Sequence, residues 1–171
     1  MMRAYHDDEW GVPIKGEQAF FERLSLEAFQ AGLSWATILR KRTAFREAFG
    51  DFDIDFCASL SDRHIETLMA NEGIVRARAK IEATRGTAIA TIGLRDEGGL
   101  EALIASFVPA TQPAPACQAE VPTRSEESAA LAAELRRRGF RFVGPTNMFA
   151  LMEATGLVNT HLVSCFRRDQ V

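Results

Sequence analysis

The chain has 171 residues, of which 47% are hydrophobic and 25% charged, with a formal net charge of -3; this balance predicts one globular domain with a full hydrophobic core. No apolar run approaches the length of a membrane span, and no basic segment followed by an apolar one marks a signal peptide. Three irregularly spaced cysteines, Cys57, Cys117 and Cys165, argue against a disulfide framework and favour a reduced, cytoplasmic setting, while the acidic net charge leaves nucleic-acid binding to local basic patches.

The period of the apolar residues predicts an all-α fold without internal repeats or a βαβ pattern. The predicted helices cover residues 16–33, 34–49, 61 to about 69, about 76–92 and about 100–107, then run from the Ser125 cap to Gly139 and from Gly144 to Gly156, and end with a helix that carries His161 and Cys165. Residues 51–57 are predicted as a connector, 71–73 as a helix break and the proline-rich residues 109–122 as an irregular loop. The arginine triplet 136–138 is interpreted as a solvated helix end, which the helix dipole favours.

A carboxylate lies on the apolar face of the first long predicted helix. Phe20, Leu24, Glu27 and Ala31 are 4, 3 and 4 residues apart, so they share one stripe of the helix surface. Burying an ionised carboxylate is costly unless it is paired. Glu27 is therefore either a structural acid bonded to a loop backbone or an arginine, or a site acid that binds a ligand's donors or handles a proton.

The turn after this helix, Gln30-Ala31-Gly32-Leu33-Ser34-Trp35, carries two large apolar side chains where small polar ones are usual. Leu33 and Trp35 would either plug the core between two helices, or wedge and stack against something flat. The N-terminal stretch YHDDEW also carries two large aromatic side chains, in a region where chains are ordinarily poorly ordered. An ordered role for these aromatic residues would require that other parts of the protein hold the terminus in place.

Residues 68–81 have the outline of a degenerate helix-hairpin-helix, the motif that binds DNA backbones through hairpin amides and a helix N-terminus. Gly73 matches the pattern, but Val75 stands where a second glycine is usual. Three basic residues around the turn would suit phosphates: Arg76, Arg78 and Lys80. A plain turn between two helices with solvated arginines is the alternative.

The spacing of His161 and Cys165, four residues apart on a predicted helix, would let both bind one Zn²⁺ ion. His6 is the natural candidate for a third ligand, and the sequence offers no obvious fourth. The alternative interpretation is a capped histidine and a buried thiol. His64 lies in a polar stretch and is expected to be exposed.

Five blocks of this sequence resemble the DNA-3-methyladenine glycosylase I family. They are YHDDEWGVP at 5–13, LEAFQAGLSWATILRKR at 26–42, GIVRARAKI at 73–81, PTRSEESAALAAELRRRGFRFVG at 122–144 and GLVNTHLVSC at 156–165. They occur in family order over nearly the whole chain. The resemblance implies an all-helical member of the helix-hairpin-helix glycosylase superfamily, a single alkyladenine DNA glycosylase domain over residues 1–171.

The resemblance also implies an activity, which is hydrolysis of the N-glycosidic bond of N3-methyladenine in alkylated double-stranded DNA. The enzyme would flip the base out, release free 3-methyladenine and lack lyase activity. It would work as a monomer on the nucleoid of the bacterial cytoplasm, without a membrane. The alternatives are a catalytically impaired DNA-binding protein of the same fold, and a zinc-stabilised helical interaction domain with no role on DNA.

Residue roles follow from the same resemblance. Glu27 matches the catalytic pocket glutamate that hydrogen-bonds the methylated base; Tyr5 and Trp35 match aromatics that stack on it, and Trp10 matches a further pocket aromatic. The positions implied to contact DNA are Gln30, Gly32 and Leu33 in the intruding turn, and Gly73, Arg76, Arg78 and Lys80 in the hairpin.

His6, His161 and Cys165 match three of the four ligands of a structural zinc in the family. The fourth is a cysteine in an upstream Cys-x-Trp segment, and this sequence has only Met1 to Ala4 before Tyr5. A missing N-terminal segment, a site of three ligands plus water, or a protein without zinc are the possibilities that this departure leaves open.

Overall fold

The computed structural model describes residues 1–171 as nine α-helices, and it contains no β-strand, which confirms the predicted all-α class. The helices are α1 (Met2–Asp8), α2 (Glu17–Gln30), α3 (Trp35–Ala48), α4 (Ile54–Ala58), α5 (Asp62–Ala70), α6 (Arg78–Ile92), α7 (Gly99–Ala105), α8 (Glu126–Arg137) and α9 (Pro145–Ala154). Two short 3₁₀ turns cover Arg95–Glu97 and Gln118–Glu120. None of the helices combines the length and the apolar character needed to cross a membrane.

Side-chain caps define several helix starts that the sequence predicts. The hydroxyl oxygens of Ser34, Ser61 and Ser125 accept hydrogen bonds from backbone N–H groups three residues later. Each bond satisfies one of the N–H groups that a helix leaves without an internal partner, a contribution of about 1 kcal/mol. His64, which is exposed as predicted, completes the reciprocal bond to the N–H of Ser61 at 3.1 Å.

The structure differs from the predicted elements at both ends of the chain and in one connector. Residues 54–58 form α4 because the Asp53 carboxylate accepts from the Phe56 N–H at 2.7 Å. Residues 2–8 form α1, a helix that the period of the apolar residues did not reveal.

The predicted last helix, which would carry His161 and Cys165, is wrong. Residues 156–171 form turns, because side chains satisfy their backbone groups in place of a helical ladder. Asn159 accepts from the His161 N–H at 3.1 Å, and its amide donates to the carbonyl of Arg168 at 2.9 Å. The Arg168 guanidinium donates to the carbonyls of His161 and Pro113.

The core is built around α2, which packs against α3, α6, α7 and α9. Eight of its 14 residues are buried, including three phenylalanines. Rings from α2, α3 and the following turn touch in series, with centroids of Phe29 and Phe45 at 4.6 Å and of Phe49 and Phe52 at 5.5 Å. Because α2 is covered on several sides, polar residues of its C-terminal half, Ser25 and Glu27, are buried.

Candidate functional site

A cavity of about 380 Å³ opens between α1, α2, α9 and the start of α3; it is called the central cavity below. All four residues predicted to bind a base line it: Tyr5, Trp10, Glu27 and Trp35. Gln30 lines it as well. The tertiary structure therefore brings together aromatic and acidic side chains from three separate segments, as the resemblance implies.

Glu27 lies in the last turn of α2 with 4% of its surface exposed. Its carboxylate has no hydrogen-bond or ion-pair partner within the protein, so the structural interpretation, which needs a loop backbone or an arginine as partner, loses its basis. Burial raises the pKa of Glu27 to about 7, against the opposing effect of the nearby Arg23 charge. A carboxyl group in this setting changes protonation near neutral pH and is free to accept hydrogen bonds from a ligand.

Arg23 holds the two aromatic rings of the cavity wall in place. Its Nη1 donates to the Tyr5 hydroxyl at 2.7 Å, and its guanidinium carbon lies 5.5 Å from the Tyr5 ring centroid and 5.4 Å from that of Trp35. These two rings are tilted by 46° with centroids 5.5 Å apart. Burial raises the pKa of Tyr5 to about 12, so the phenol stays neutral. Arg23 has no predicted role in the sequence, although its position one helical turn before Glu27 was a usable signal.

A second pair of contacts fixes α1 against the rest of the molecule. Arg42 of α3 makes two hydrogen bonds to the Glu9 carboxylate, one of them from Nη2 at 2.9 Å. This bidentate pair lowers the pKa of Glu9. The N-terminal segment is thus held to α3 just after the end of α1. This contact explains how aromatic side chains can be ordered so close to the chain terminus.

His6, His161 and Cys165 form a compact group, the His/Cys cluster, whose ligand atoms all lie within 4.8 Å of one another. Cys165 Sγ is 3.6 Å from His6 Nε2 and 3.5 Å from His161 Nδ1. Trp10 joins the cluster to the central cavity, since its ring stacks on His6 at 5.8 Å and meets His161 edge-on at 4.5 Å. The turns at 156–165 bring His161 and Cys165 close together, although the sequence predicted that a shared helix face would do so.

Asp7 was missed by the sequence analysis, and it orients the His6 ring. Its Oδ1 lies 2.8 Å from His6 Nδ1. Because a carboxylate can only accept, Nδ1 donates to it, and the other ring nitrogen, Nε2, faces Cys165. Histidine ligands of metals ordinarily donate from the other ring nitrogen to a carboxylate, a backbone carbonyl or water.

Residues 30–33, the wedge turn, present an apolar tip to solvent. Leu33 is 40% exposed, and Gly32 has a φ of +78° that side chains rarely adopt. The turn closes on itself, because the Leu33 N–H donates to the Gln30 carbonyl at 2.7 Å and the Gln30 amide donates to the Leu33 carbonyl at 3.2 Å. Leu33 therefore does not plug the core, which removes one of its two interpretations.

Lys80 supports this wedge turn and does not present a free charge to solvent. Its ammonium donates to the carbonyl of Phe29, in the last turn of α2, at 2.8 Å and to that of Ala31, which follows the helix, at 2.6 Å. Burial lowers the pKa of Lys80. The predicted phosphate contact of Lys80 stays a prediction, and the sequence could not reveal this contact with α2, because the two segments are about fifty residues apart.

The hairpin turn, residues 71–77, is tied to α3. Lys41 donates to the carbonyls of Glu72 at 2.8 Å and Gly73 at 3.1 Å. A Cβ atom at Gly73 would lie 2.9 Å from the Cβ of Ala44, so only glycine allows this close packing. Arg76 and Arg78 keep about half of their side chains exposed, with Arg78 paired to Glu66 at 2.7 Å. None of the predicted hairpin residues lines the central cavity.

A second carboxylate of the central cavity, Glu153, escaped the sequence analysis. It is the single charged residue of α9, and the Thr160 hydroxyl donates to it. Burial raises its pKa to about 7. One acid in an otherwise uncharged helix was the available signal.

Comparisons with known proteins agree on one family. The sequence profile described as methyladenine glycosylase matches residues 1–168. DNA-3-methyladenine glycosylase 1 of Escherichia coli is 42% identical over 166 residues, covering 95% of this chain and 88% of that protein. DNA-3-methyladenine glycosylase of Haemophilus influenzae is 42% identical over 165 residues, or 94% and 89% of the two chains.

A solved structure extends the agreement to three dimensions. It describes 3-methyladenine recognition by 3-methyladenine DNA glycosylase I from Staphylococcus aureus. It is 33% identical, has a TM-score of 0.92 and covers 97% of this chain and 90% of that one.

The burial of Glu27 predicts that Glu27→Gln stabilises the protein in a pH-dependent way. A carboxyl with a pKa of about 7 when folded and 4.5 when unfolded holds its proton longer in the folded state, so native stability falls as pH rises between these values. The variant should match the native protein near pH 4.5 and exceed its free energy of unfolding above pH 7 by up to about 3 kcal/mol. Urea denaturation at pH 5 and pH 8 measures the difference.

Glu47→Gln is the matched control, because Glu47 is exposed and makes no ion pair. Its effect should be small at both pH values. A Glu27→Gln difference that does not change between pH 5 and 8 would contradict the assigned cost of burying this carboxylate.

Proposed function

The chain belongs to the methyladenine glycosylase family, and we propose that it excises 3-methyladenine from alkylated duplex DNA by hydrolysing the N-glycosidic bond. The observation that carries the proposal is the unpartnered carboxylate of Glu27 in a cavity walled by the rings of Tyr5 and Trp35. An acid and π-faces without a protein cation between them suit a flat, positively charged ligand.

The chemistry follows from the charge of the substrate. An adenine nucleotide methylated at N3 is cationic, so its bond to the sugar is already weak and the base needs no protonation to leave. Once the nucleotide is flipped out of the stack, Glu27 accepts from the exocyclic amino group and stabilises the cation. Water adds at C1′ and gives up one proton to bulk water, the electron pair of the C1′–N9 bond goes to the base, and 3-methyladenine departs neutral.

Arg23 is a positioning residue in this scheme. Its hydrogen bond to Tyr5 and its place against both ring faces keep the stacking surface rigid. Its charge also opposes the burial effect on the pKa of Glu27. The ring geometry is therefore set before a base arrives, which lowers the cost of ordering the site.

The exposed residues that suit DNA lie outside the central cavity. Leu33, at the tip of the wedge turn, would fill the space vacated by the flipped nucleotide and offset part of the unstacking cost. Arg76, Arg78 and the amides near Gly73 would contact the phosphate backbone as a degenerate helix-hairpin-helix. A single copy of the chain supplies all of these groups, so we propose that it acts as a monomer.

The His/Cys cluster fits a zinc ion with a structural role. Bonds of about 2.05 Å to nitrogen and 2.3 Å to sulfur in a tetrahedral site separate the two ligand atoms by about 3.5 Å, and the observed separations are 3.5 and 3.6 Å. Bound zinc would cross-link α1 to the C-terminal turns. His6, His161 and Cys165 would thereby fix Trp10 and the end of α1 beside the central cavity.

The activity test is to incubate the protein with methylated duplex DNA and quantify free 3-methyladenine. Glu27→Gln should lower kcat/KM about 100-fold, the loss typical of removing one charge-stabilising group, while DNA affinity stays unchanged. Glu47→Gln serves as the control of equal charge change. A native protein that binds DNA but releases no base would contradict the enzyme and indicate a catalytically impaired DNA-binding protein of the same fold.

Replacing the lysine behind the wedge turn should affect duplex DNA but not the base. Lys80→Met leaves the carbonyls of Phe29 and Ala31 without their donor, so we expect about tenfold lower kcat/KM on methylated duplex and unchanged affinity for free 3-methyladenine. Because Lys80 acts through the turn, its effect and that of Leu33→Ala should not add. Additive effects, with a salt dependence reduced by about one phosphate contact, would instead show a direct phosphate role.

The zinc proposal predicts about one zinc per chain by elemental analysis. Cys165→Ser should remove the metal and lower the thermal midpoint, because the link between the two ends of the chain is lost. Cys117→Ser, at an exposed free cysteine, should keep both. Native protein without metal, and with a midpoint equal to that of Cys165→Ser, would overturn the proposal.

A further inference from the structure

Glu153 shares the central cavity with Glu27, although the two residues belong to different helices, α9 and α2. The proposed hydrolysis of the N-glycosidic bond uses no group of Glu153. Its one hydrogen bond comes from the hydroxyl of Thr160, a neutral donor that is itself 2% exposed. No arginine, lysine or histidine pairs with it. Glu153 therefore leaves acceptor capacity free in a wall of the cavity.

Two unpaired carboxylates in one cavity are costly for the empty protein. The charge of Glu153 adds to the effect of burial on Glu27, and each group loses hydration without gaining a counter-ion. A glutamine at position 153 would accept the same hydrogen bond from Thr160 without a charge. A merely structural role consequently does not account for an acid at this position.

The only cation close to Glu27 is engaged elsewhere. Arg23 donates to the Tyr5 hydroxyl and lies against the two rings; it does not line the central cavity. The space between the two acids is bounded by aromatic rings and by small residues such as Ala150 and Ala154. A ligand that enters this space meets the acids of α2 and α9, and no lysine or arginine side chain lines the cavity beside them.

We propose that Glu153 is a second specificity-determining acid of the base pocket, which together with Glu27 selects purines that carry a positive charge. The inference rests on the proposed function and deepens it. Glu27 orients the base through a hydrogen bond, whereas Glu153 contributes charge. The selected substrate class is then purines made cationic by ring alkylation, and neutral adenine is disfavoured although its shape is the same.

Two ligands separate charge from shape: 3,9-dimethyladeninium, which is permanently cationic, and 9-methyladenine, which is neutral. Both tryptophans of the chain, Trp10 and Trp35, line the central cavity, so their fluorescence reports binding of either ligand. Native protein should bind the cation more tightly. Glu153→Gln keeps an acceptor for Thr160 and should weaken cation binding about tenfold, equal to about 1.4 kcal/mol, without changing affinity for the neutral ligand.

Glu47→Gln is the control for net charge and should leave both affinities unchanged. Thr160→Val removes the neutral donor but keeps the Glu153 carboxylate, so it should preserve the preference for the cation. Thermal melts of all variants verify that each one is folded. A Thr160→Val variant that loses the preference as Glu153→Gln does would assign the effect to the structural pair and overturn the inference.

The remaining outcomes distinguish this inference from the proposed function. Native protein that prefers the cation, with the preference intact in Glu153→Gln, overturns the role of Glu153 alone. An equal loss of affinity for both ligands in Glu153→Gln also overturns the role of Glu153, because that result indicates a change in the shape of the cavity. Native protein without any preference for the cation overturns both the inference and the proposed mode of base selection.

Discussion

The carboxylate of Glu27 is costly where it lies, buried in the last turn of α2 and with no partner in the protein. Its burial works against stability at neutral pH and offers free acceptor oxygens to a ligand. Most of the surrounding structure keeps this carboxylate buried and without a partner. The core packs around α2, aromatic rings cover the cavity, and the nearby arginine bonds to Tyr5 and leaves the acid unpaired. A stability cost concentrated at one group is typical of a functional site.

The N-terminal segment illustrates how the protein keeps a chain end rigid. Tyr5 is bonded to Arg23 of α2, and Glu9 is held by Arg42 of α3. The proposed zinc would add a third link through His6. Each contact joins the segment to a different part of the molecule, so the aromatic side chains of α1 can be part of a precise cavity wall. These links explain how aromatic side chains can be ordered in a segment where chains ordinarily fray.

Two lysines organise the surface that we propose to face DNA. Lys80, at the start of α6, binds the end of α2 behind the wedge turn, and Lys41 of α3 binds the hairpin turn. Each lysine thus reaches from its own helix to a turn formed by other residues. The wedge turn and the hairpin turn are coupled through these contacts, so their relative position is set in the free protein and does not depend on DNA.

Sequence alone determined the all-α class, most helix bounds and the identity of the pocket residues Tyr5, Glu27 and Trp35, because helical period, serine caps and long family motifs are local signals. It could not determine the partners of Lys80 and Arg23 or the place of Glu153 in the cavity. Those depend on which distant segments meet, since the same arginine or lysine can equally be solvated. The turn that carries His161 also required the tertiary structure, because the side chains of Asn159 and Arg168 replace the hydrogen bonds that a helix would have made.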